Sequence, residues 1–244
     1  MKSSRLDQEL VNRSLAGSRE EAKRLILAGE VFVSGHVADK PATKVNDESK
    51  IVVKQRPKYV GRGGLKLEHA IEEFQIDVKD KVALDIGSST GGFTDCLLQS
   101  GAQKVYAFDV GTNQLAWKLR QDKRVVAREQ FNCRNLTIKD IGQAPDIIVA
   151  DVSFISLTKL LIPAVEALAE NCDLIVLIKP QFELQRDQVG RGGIVKDSKL
   201  HKEAVNKVIG FALDNCGMQC MGHTESPIQG ASGNTEFLAW VQRS

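Results

Sequence analysis

Short apolar runs alternate with amphipathic stretches along most of this chain beyond residue 80. The apolar runs, each long enough for one buried strand, are VALDIG, KVYAFDVG, RVVARE, PDIIVADVSF and DLIVLIKP. Stretches with helical spacing follow most of them, namely GGFTDCLLQSG, NQLAWKLR, ISLTKLLIPAVEALA and KLHKEAVNKVIGFALDNCG. This alternation predicts an α/β fold with a doubly wound, mostly parallel sheet. The last two runs, CMGHTESP and EFLAWVQ, predict an antiparallel edge at the C-terminal end.

The beginning of the chain has a different order, with two helices before several short strands. Apolar residues at helical spacing predict a first helix over residues 4–17, with Ser4 as its N-cap. A capping box at Ser18 and Glu21 begins a second helix, which Gly29 ends. The strands that follow are predicted within VFVSGHVADKPATKV and SKIVV.

These two patterns predict two domains of unequal size. We expect a small α+β domain over residues 1–55 and a larger α/β domain over residues 65–244. The stretch between them, residues 56–64, contains charged residues, one proline and glycines, which is typical of a linker.

Charge is distributed unevenly between the two parts. Residues 1–66 contain 14 Lys and Arg against 8 Asp and Glu, whereas residues 67–244 contain 19 against 23. A basic module attached to a mildly acidic body indicates an attachment that binds a polyanion.

The cysteine count and the hydropathy pattern exclude several classes of protein. The five cysteines include no C-x-x-C pair and no matching histidine cluster, so we expect reduced thiols, no metal and a cytoplasmic location. The N-terminus lacks the apolar segment of a signal peptide, and no run of about 18 apolar residues predicts insertion into a membrane.

The N-terminal block resembles the ribosomal-protein-S4-like RNA-binding domain. The resemblance rests on the residues RLDQELVNRSLAGSREEAKRLILAGEVFVSGHVADKPATKV. In that family two helices and the following loop present basic side chains to structured RNA. The resemblance therefore implies RNA contacts, which we expect from Arg5, Arg13, Arg19, Lys23 and Arg24.

A glycine-rich turn, LDIGSSTGGFTD, joins the first long strand to a helix and indicates a nucleotide-binding crevice. The glycine spacing is not G-x-G-x-x-G, which makes a dinucleotide such as NAD the weaker alternative. Asp109 ends the next strand, where an acid accepts hydrogen bonds from ribose hydroxyls. This pairing favours an S-adenosylmethionine (SAM) site. The predicted cofactor-binding residues are Asp85, Gly87, Ser88, Ser89, Thr90, Gly91, Gly92, Phe93, Asp109 and Asp151, with Glu129–Asn132 as candidates for the adenine.

Acidic and basic side chains follow the later strands. Asp151 ends the fourth strand and Lys179 ends the fifth, so both should lie at the carboxyl edge of the sheet. Lys66 opens the helix before the first strand, in GRGGLKLEHA, and Glu236 begins the last strand, in SGNTEFLAW.

In this order and these contexts, the predicted catalytic residues Lys66, Asp151, Lys179 and Glu236 resemble the K-D-K-E tetrad of FtsJ-like RNA 2'-O-methyltransferases. With the S4-like block, the motifs GRGGLKL, DIGSSTGGFTD, DVSFISL and IKPQFE resemble the TlyA family of rRNA methyltransferases, some of which are called hemolysins. The resemblance implies a Rossmann-like methyltransferase fold, SAM as the methyl donor and ribosomal RNA or a ribosomal subunit as the partner. The implied acceptor is the ribose 2'-OH of a cytidine.

The chemistry of this reaction agrees with the residue types. A 2'-OH is a poor nucleophile and must lose its proton as it attacks, and a lysine accepts a proton only when it is itself deprotonated. Burial and a neighbouring cation favour the deprotonated form, so we expect Lys179 to be the base and Lys66 the nearby cation. Asp151 and Glu236 would orient the two lysines through charge-assisted hydrogen bonds.

Two other functions remain open from the sequence. A membrane-active hemolysin would need an amphipathic surface helix, and the best candidate, KEAVNKVIGFALDNCG, fits a helix that covers the sheet equally well. A non-catalytic RNA-binding or ribosome-assembly factor is the second alternative, although the complete tetrad argues against it. The loop QVGRGGIVKD at residues 188–197 is either an RNA-contacting lid or simply a long loop.

Overall fold

The computed structural model describes residues 3–54, 57–167 and 172–243 of the 244-residue chain. The chain divides into two units, Met1–Pro57 and Lys58–Ser244. The end of the helix predicted in ISLTKLLIPAVEALA, residues 168–169, lies outside the described residues.

The first unit combines two helices with five short strands. Its helices are α1 (Leu6–Asn12) and α2 (Arg19–Leu27), and its strands are β1 (Ser3–Arg5), β2 (Val31–Val33), β3 (His36–Val37), β4 (Lys44–Asn46) and β5 (Ile51–Val53). Strand β1 pairs antiparallel with β4, and β2 lies between β3 and β5. The core contains Leu6, Leu10, Ala22 and Ile26 from the two helices, together with the strand residues Val31 and Val45.

Helix α1 is shorter than predicted at both ends. Its expected first residues form strand β1, and it ends at Asn12, shortly before Ser14, whose φ is +57°. Ser4 is therefore not the N-cap; it lies in β1, and its hydroxyl donates a hydrogen bond to Glu9 at 2.7 Å. The Ser18 cap of α2 is confirmed, since the Ser18 hydroxyl accepts a hydrogen bond from the backbone N–H of Glu21 at 3.2 Å. The Glu21 carboxylate accepts from the N–H of Gly17 instead of completing the predicted box.

The second unit alternates strands and helices. Its helices are α3 (Gly63–Glu73), α4 (Gly92–Gln99), α5 (Trp117–Arg120), α6 (Ile138–Ile141), α7 (Thr158–Glu166), α8 (Pro180–Glu183) and α9 (Ser198–Cys216). Its strands are β6 (Val82–Ile86), β7 (Lys104–Phe108), β8 (Val125–Arg128), β9 (Ile147–Ala150), β10 (Asp173–Ile178), β11 (Met218–Glu225) and β12 (Phe237–Arg243).

Within the described residues these strands form one sheet in the order β11-β12-β10-β9-β6-β7-β8. Strands β6 to β10 pair in parallel, and β12 pairs antiparallel with both β10 and β11. The predicted mostly parallel sheet with an antiparallel C-terminal edge is therefore confirmed. From β6 the chain runs outward to β8 and then returns to β9, so the strand order reverses between β6 and β9. Ligands of open α/β sheets bind at the carboxyl ends of the strands beside such a reversal.

Helices cover both faces of the sheet, which explains why the strand sequences are apolar throughout. In β10, Leu174, Val176 and Ile178 pack in a core that also contains apolar residues of α7 and α9. The alternate residues Ile175 and Leu177 pack in a second core with residues of α3 and α4.

Helix α5 begins later than the pattern NQLAWKLR predicted. The backbone N–H groups of Asn113 and Gln114 donate hydrogen bonds to the Glu129 carboxylate at 2.7 and 3.1 Å. These residues are held as a loop, and the helix starts only at Trp117.

The segment that follows Pro57 packs within the second unit. Tyr59 is buried in the same core as α3 and α4. The N–H of Val60 donates to Asp95 of α4 at 2.8 Å. Helix α3 begins at Gly63, ahead of Lys66, which the sequence placed at its start.

Candidate active site

A cavity of about 230 Å³ lies at the carboxyl edge of the sheet, where the strand order reverses. It is lined by predicted cofactor residues, by one predicted catalytic lysine and by two residues that the sequence did not single out. The lining residues are Gly63, Gly87, Ser88, Ser89, Thr90, Gly92, Phe93, Asp151, Ser153 and Lys179. The other predicted site residues, Asp85, Gly91, Asp109, Lys66 and Glu236, lie outside this lining.

The glycine turn after β6 is shaped by the protein's own packing. Gly87 and Gly91 have φ values of +83° and +94°, which favour glycine. A side chain at Gly87 would collide with the backbone oxygen of Asp151, and one at Gly91 would collide with Leu119. Neighbouring protein atoms therefore require glycine at both positions, and Gly87 also lines the cavity.

Asp109 connects the glycine turn to the loop after β7. Its carboxylate accepts hydrogen bonds from the backbone N–H of Ser89 at 2.8 Å and of Gly111 at 2.6 Å. A carboxylate that accepts two such bonds retains lone pairs for further donors, such as ribose hydroxyls.

Asp85 is completely buried beneath the turn. The Thr94 hydroxyl donates to Asp85 Oδ2 at 2.6 Å, whereas Oδ1 has no partner among the described residues. Burial raises the pKa of this carboxyl to about 7, and the nearby Asp151 and Asp109 carboxylates add to the increase. A buried oxygen without a partner, grouped with two further acids, fits a ligand that carries positive charge, as the sulfonium and ammonium of SAM do.

Lys179 leaves β10 directly into the cavity. Its ammonium forms an ion pair with Asp151 at 2.6 Å and donates a hydrogen bond to the Ser153 hydroxyl at 2.9 Å. Pro180, which has no backbone N–H, follows as the first residue of α8, and β10 ends at Ile178, immediately before Lys179.

Lys66 forms a second ion pair, with Glu236, and both side chains are buried. Glu236 precedes Phe237, which lies opposite Ile178 in the sheet, so Glu236 and Lys179 leave neighbouring strands at the same edge. The structure therefore arranges the predicted tetrad as two lysine–carboxylate pairs. Each lysine has a carboxylate as its nearest charge, Asp151 for Lys179 and Glu236 for Lys66.

Ser153 and Phe154, which follow shortly after Asp151, were not identified from the sequence. Ser153 lines the cavity and accepts the hydrogen bond from Lys179. Phe154 has a φ of +65°, is 91% exposed and contacts the Phe182 ring at 5.3 Å between centroids. The motif DVSF contained the available signal, because residues just after a strand that ends in a site residue share its edge.

The predicted RNA-binding residues differ in their surroundings. Arg5 and Arg19 are partly exposed and both pair with Asp7, whereas Arg13 is held by Glu9 and by backbone carbonyls. Lys23 lies 3.8 Å from Glu20 and Arg24 is exposed.

The remaining candidates are held by hydrogen bonds to the protein. The loop 188–197 is held by the buried Asn234, which lies outside it. The Val195 N–H donates to Asn234 Oδ1 at 2.9 Å, and the Gly193 oxygen accepts from Asn234 Nδ2 at 2.8 Å. Glu129, the first adenine candidate, is occupied by the amides of the loop before α5 and by Arg120.

In the part of the chain that the structure describes, no helix is long and apolar enough to cross a membrane. The same residues include no group of three or more His, Cys, Asp or Glu side chains that could hold a metal ion.

A doubly wound sheet with an acidic, glycine-lined crevice at its reversal point defines a cofactor-binding α/β enzyme. The FtsJ-like methyltransferase family matches residues 59–243, and the S4 domain matches residues 4–51. The chain belongs to the FtsJ-like methyltransferase family, and the predicted family and fold class are confirmed.

Individual relatives match along nearly the whole chain. The 16S/23S rRNA (cytidine-2'-O)-methyltransferase TlyA of Mycobacterium tuberculosis is 45% identical over 98% of this chain and 89% of its own length. Hemolysin A of Brachyspira hyodysenteriae is 48% identical over 96% of this chain and 98% of its own length. A solved structure from Streptococcus thermophilus that bears the name hemolysin is 44% identical, with a TM-score of 0.75 over 100% of this chain and 90% of that one.

Proposed function

We propose that this enzyme transfers the methyl group of SAM to a ribose 2'-OH in ribosomal RNA. The observation that carries the proposal is the Lys179–Asp151 pair, which lines the cavity beside the glycine turn. The name of the M. tuberculosis relative supports a cytidine as the acceptor. The matched S4 domain supports RNA or a ribosomal subunit as the partner, and a ribosomal substrate would favour a cytoplasmic location.

The cofactor would be held by the crevice residues. Asp85 and Asp109 would accept hydrogen bonds from its charged and ribose groups, and the turn from Gly87 to Phe93 would border it. SAM, when bound, supplies a methyl group already activated by a sulfonium. The protein therefore mainly contributes alignment, removal of a proton and a charged environment.

The proton is assigned to Lys179. Asp151 and Ser153 each bind one N–H of the Lys179 side chain. The third position on the nitrogen, a proton in the ammonium and a lone pair in the amine, is left to face the cavity. Lys179 first releases one ammonium proton to solvent through the cavity. Its amine then accepts the 2'-OH proton as the ribose oxygen bonds to the methyl carbon and the methyl–sulfur bond breaks. The buried Lys66–Glu236 pair borders the same edge, where Lys66 would stabilise the developing alkoxide.

Methylation with labelled SAM tests this proposal. Label is expected in RNA from unmethylated ribosomal subunits, and it should survive alkaline hydrolysis within a dinucleotide. Alkaline cleavage requires a free 2'-OH, so only a 2'-O-methyl group protects the linkage. Label that is released with mononucleotides would indicate base methylation. No label on either subunit, despite SAM binding, would favour the non-catalytic RNA-binding factor.

Asp109→Ala is expected to weaken SAM binding. A hydrogen bond to a charged group contributes about 1.5–3 kcal/mol, so the loss of one should weaken binding about tenfold or more. Asp109→Asn is the matched variant, because it keeps one acceptor oxygen for the turn amides. Unchanged affinity of the alanine variant in calorimetry would remove Asp109 from the site.

Removal of residues 1–55 is expected to leave SAM binding intact and to weaken binding to ribosomal subunits. The slope of log affinity against log salt should also become shallower, because fewer phosphate contacts release fewer counterions. The comparison needs affinities at several salt concentrations for the full and shortened chains. An unchanged slope would mean that the methyltransferase unit alone holds the RNA.

A further inference from the structure

Asp7, on the first helix, is fully buried and is contacted by two arginines. Arg5 binds it in a forked manner, with Nε 3.0 Å from Oδ1 and Nη2 3.1 Å from Oδ2. Arg19 Nη2 lies 3.0 Å from the same Oδ2. The hydrogen bonds from Arg5, together with Arg19, lower the pKa of Asp7 to about 2, so the carboxylate remains charged at neutral pH.

The two arginines are exposed on the side away from Asp7. Their side chains are 40% and 47% exposed, and most of their N–H groups have no partner among the described residues. One carboxylate between two guanidinium groups leaves a net charge of +1. That remainder matches the single negative charge of a phosphodiester, and a guanidinium fork suits phosphate geometry.

Arg13 shows what a structural arginine looks like in the same unit. Its guanidinium contacts Glu9 at 2.8 Å, the Ser49 oxygen at 2.7 Å and the Asn46 oxygen at 2.9 Å. These bonds fasten α1 to the turn after β4 and occupy most of its donors. Arg13 therefore stabilises the fold, whereas Arg5 and Arg19 remain available to a ligand.

We propose that Asp7 is a positioning residue that holds Arg5 and Arg19 as a clamp for an RNA phosphate. This inference rests on the proposed function, because it assigns part of the RNA contact. A free arginine loses side-chain entropy when it binds, and a carboxylate that already fixes two guanidinium groups reduces that loss. Asp7 itself does not touch the RNA.

The direction in which one substitution changes RNA affinity distinguishes a positioning role of Asp7 from a simple effect of net charge. Asp7→Asn removes a negative charge, so electrostatic attraction alone predicts tighter binding to a polyanion. The clamp predicts the opposite, a loss of about tenfold, because the asparagine amide cannot hold both forks. Glu20→Gln is the matched control, since it removes one exposed negative charge from the same unit and should not weaken binding.

Binding is measured with the full chain and purified ribosomal subunits, small and large separately, at two salt concentrations. Weaker binding by Asp7→Asn, with Glu20→Gln at or above the parental affinity, supports the clamp. Equal or tighter binding by a folded Asp7→Asn variant overturns the clamp and leaves the proposed function standing. A parent chain that binds neither subunit overturns both.

A second pair of variants covers the case in which Asp7→Asn lowers the melting temperature of the chain. Arg5→Lys and Arg19→Lys keep Asp7 and the net charge but lose the planar fork. Each is expected to bind the subunit several-fold more weakly than the parent. Parental affinity in both lysine variants overturns the clamp.

Discussion

Lys179→Ala is expected to abolish methyl transfer while the chain still folds and binds SAM. The substitution removes the amine that faces the cavity and leaves Asp151, which is partly exposed, to be solvated by water. General base catalysis typically contributes about 10²–10⁴ to a rate, so the loss should be at least of that size. Initial rates with labelled SAM and ribosomal subunits measure it, with calorimetry as the test of SAM binding.

Lys179→Arg separates a base from a structural cation. Arginine keeps the positive charge opposite Asp151, but its guanidinium does not accept a proton at neutral pH. We expect the arginine variant to fail nearly as badly as the alanine variant. Methylation at close to the parental rate would show that Lys179 only positions or stabilises charge.

Lys81→Ala is the matched control for both substitutions. Lys81 pairs with Asp173 at 3.1 Å, and Asp173 is the first residue of β10, whereas Lys179 follows its last. The control therefore removes a lysine–aspartate pair from the opposite end of the same strand. It is expected to lower stability without lowering the rate constant for methyl transfer.

Asp85→Asn is expected to stabilise the free protein above neutral pH. In the folded chain the Asp85 carboxyl keeps its proton up to a pKa of about 7, whereas its ordinary value is 3.8. Between these values the folded state binds more protons than the unfolded state, so stability falls as pH rises. The total loss is about 4 kcal/mol and is complete above pH 7 or so.

Asparagine resembles the protonated carboxyl and does not titrate. The variant should match the parent near pH 4, and its melting temperature should exceed that of the parent at pH 8. Asp122→Asn is a control of opposite sign, since the hydrogen bond from Arg124 lowers the pKa of the partly exposed Asp122. The same fall in stability with pH in Asp85→Asn and in the parent would show that Asp85 does not carry the effect.

The same variant tests the proposed cofactor role of Asp85. If the unpartnered oxygen receives positive charge from SAM, the neutral asparagine should bind SAM more weakly although the fold is more stable. Calorimetry of SAM binding at pH 8 measures this. Parental affinity would show that the Asp85 charge is not used by the cofactor.

Much of the fold could be predicted because its signals are local. A fully apolar run such as DLIVLI reports a strand that is buried on both faces, and a glycine turn after such a run marks a crevice. Residues that end neighbouring parallel strands share an edge, so Asp151 and Lys179 could be expected together. Motif order then pointed to the family that the comparisons confirmed.

Contacts between distant residues were decided only by the tertiary structure. Lys66 and Glu236 are 170 positions apart, and no local pattern shows that they pair with each other. Because Lys66 pairs with Glu236 and Lys179 with Asp151, a carboxylate is the nearest charge of each lysine. Helix α5 is short because Glu129, which directly follows β8, binds the backbone N–H groups of the residues predicted to begin the helix.

The arginines of the first unit show the same division. Composition and spacing identified Arg5, Arg13 and Arg19 as basic residues on or beside two helices, and could not rank them. Folding brings a buried carboxylate to Arg5 and Arg19 and brings three backbone oxygens to Arg13. Sequence determines which side chains carry charge. Whether a charged side chain is paired within the protein or available to bind a partner depends on which groups the fold places within hydrogen-bonding distance.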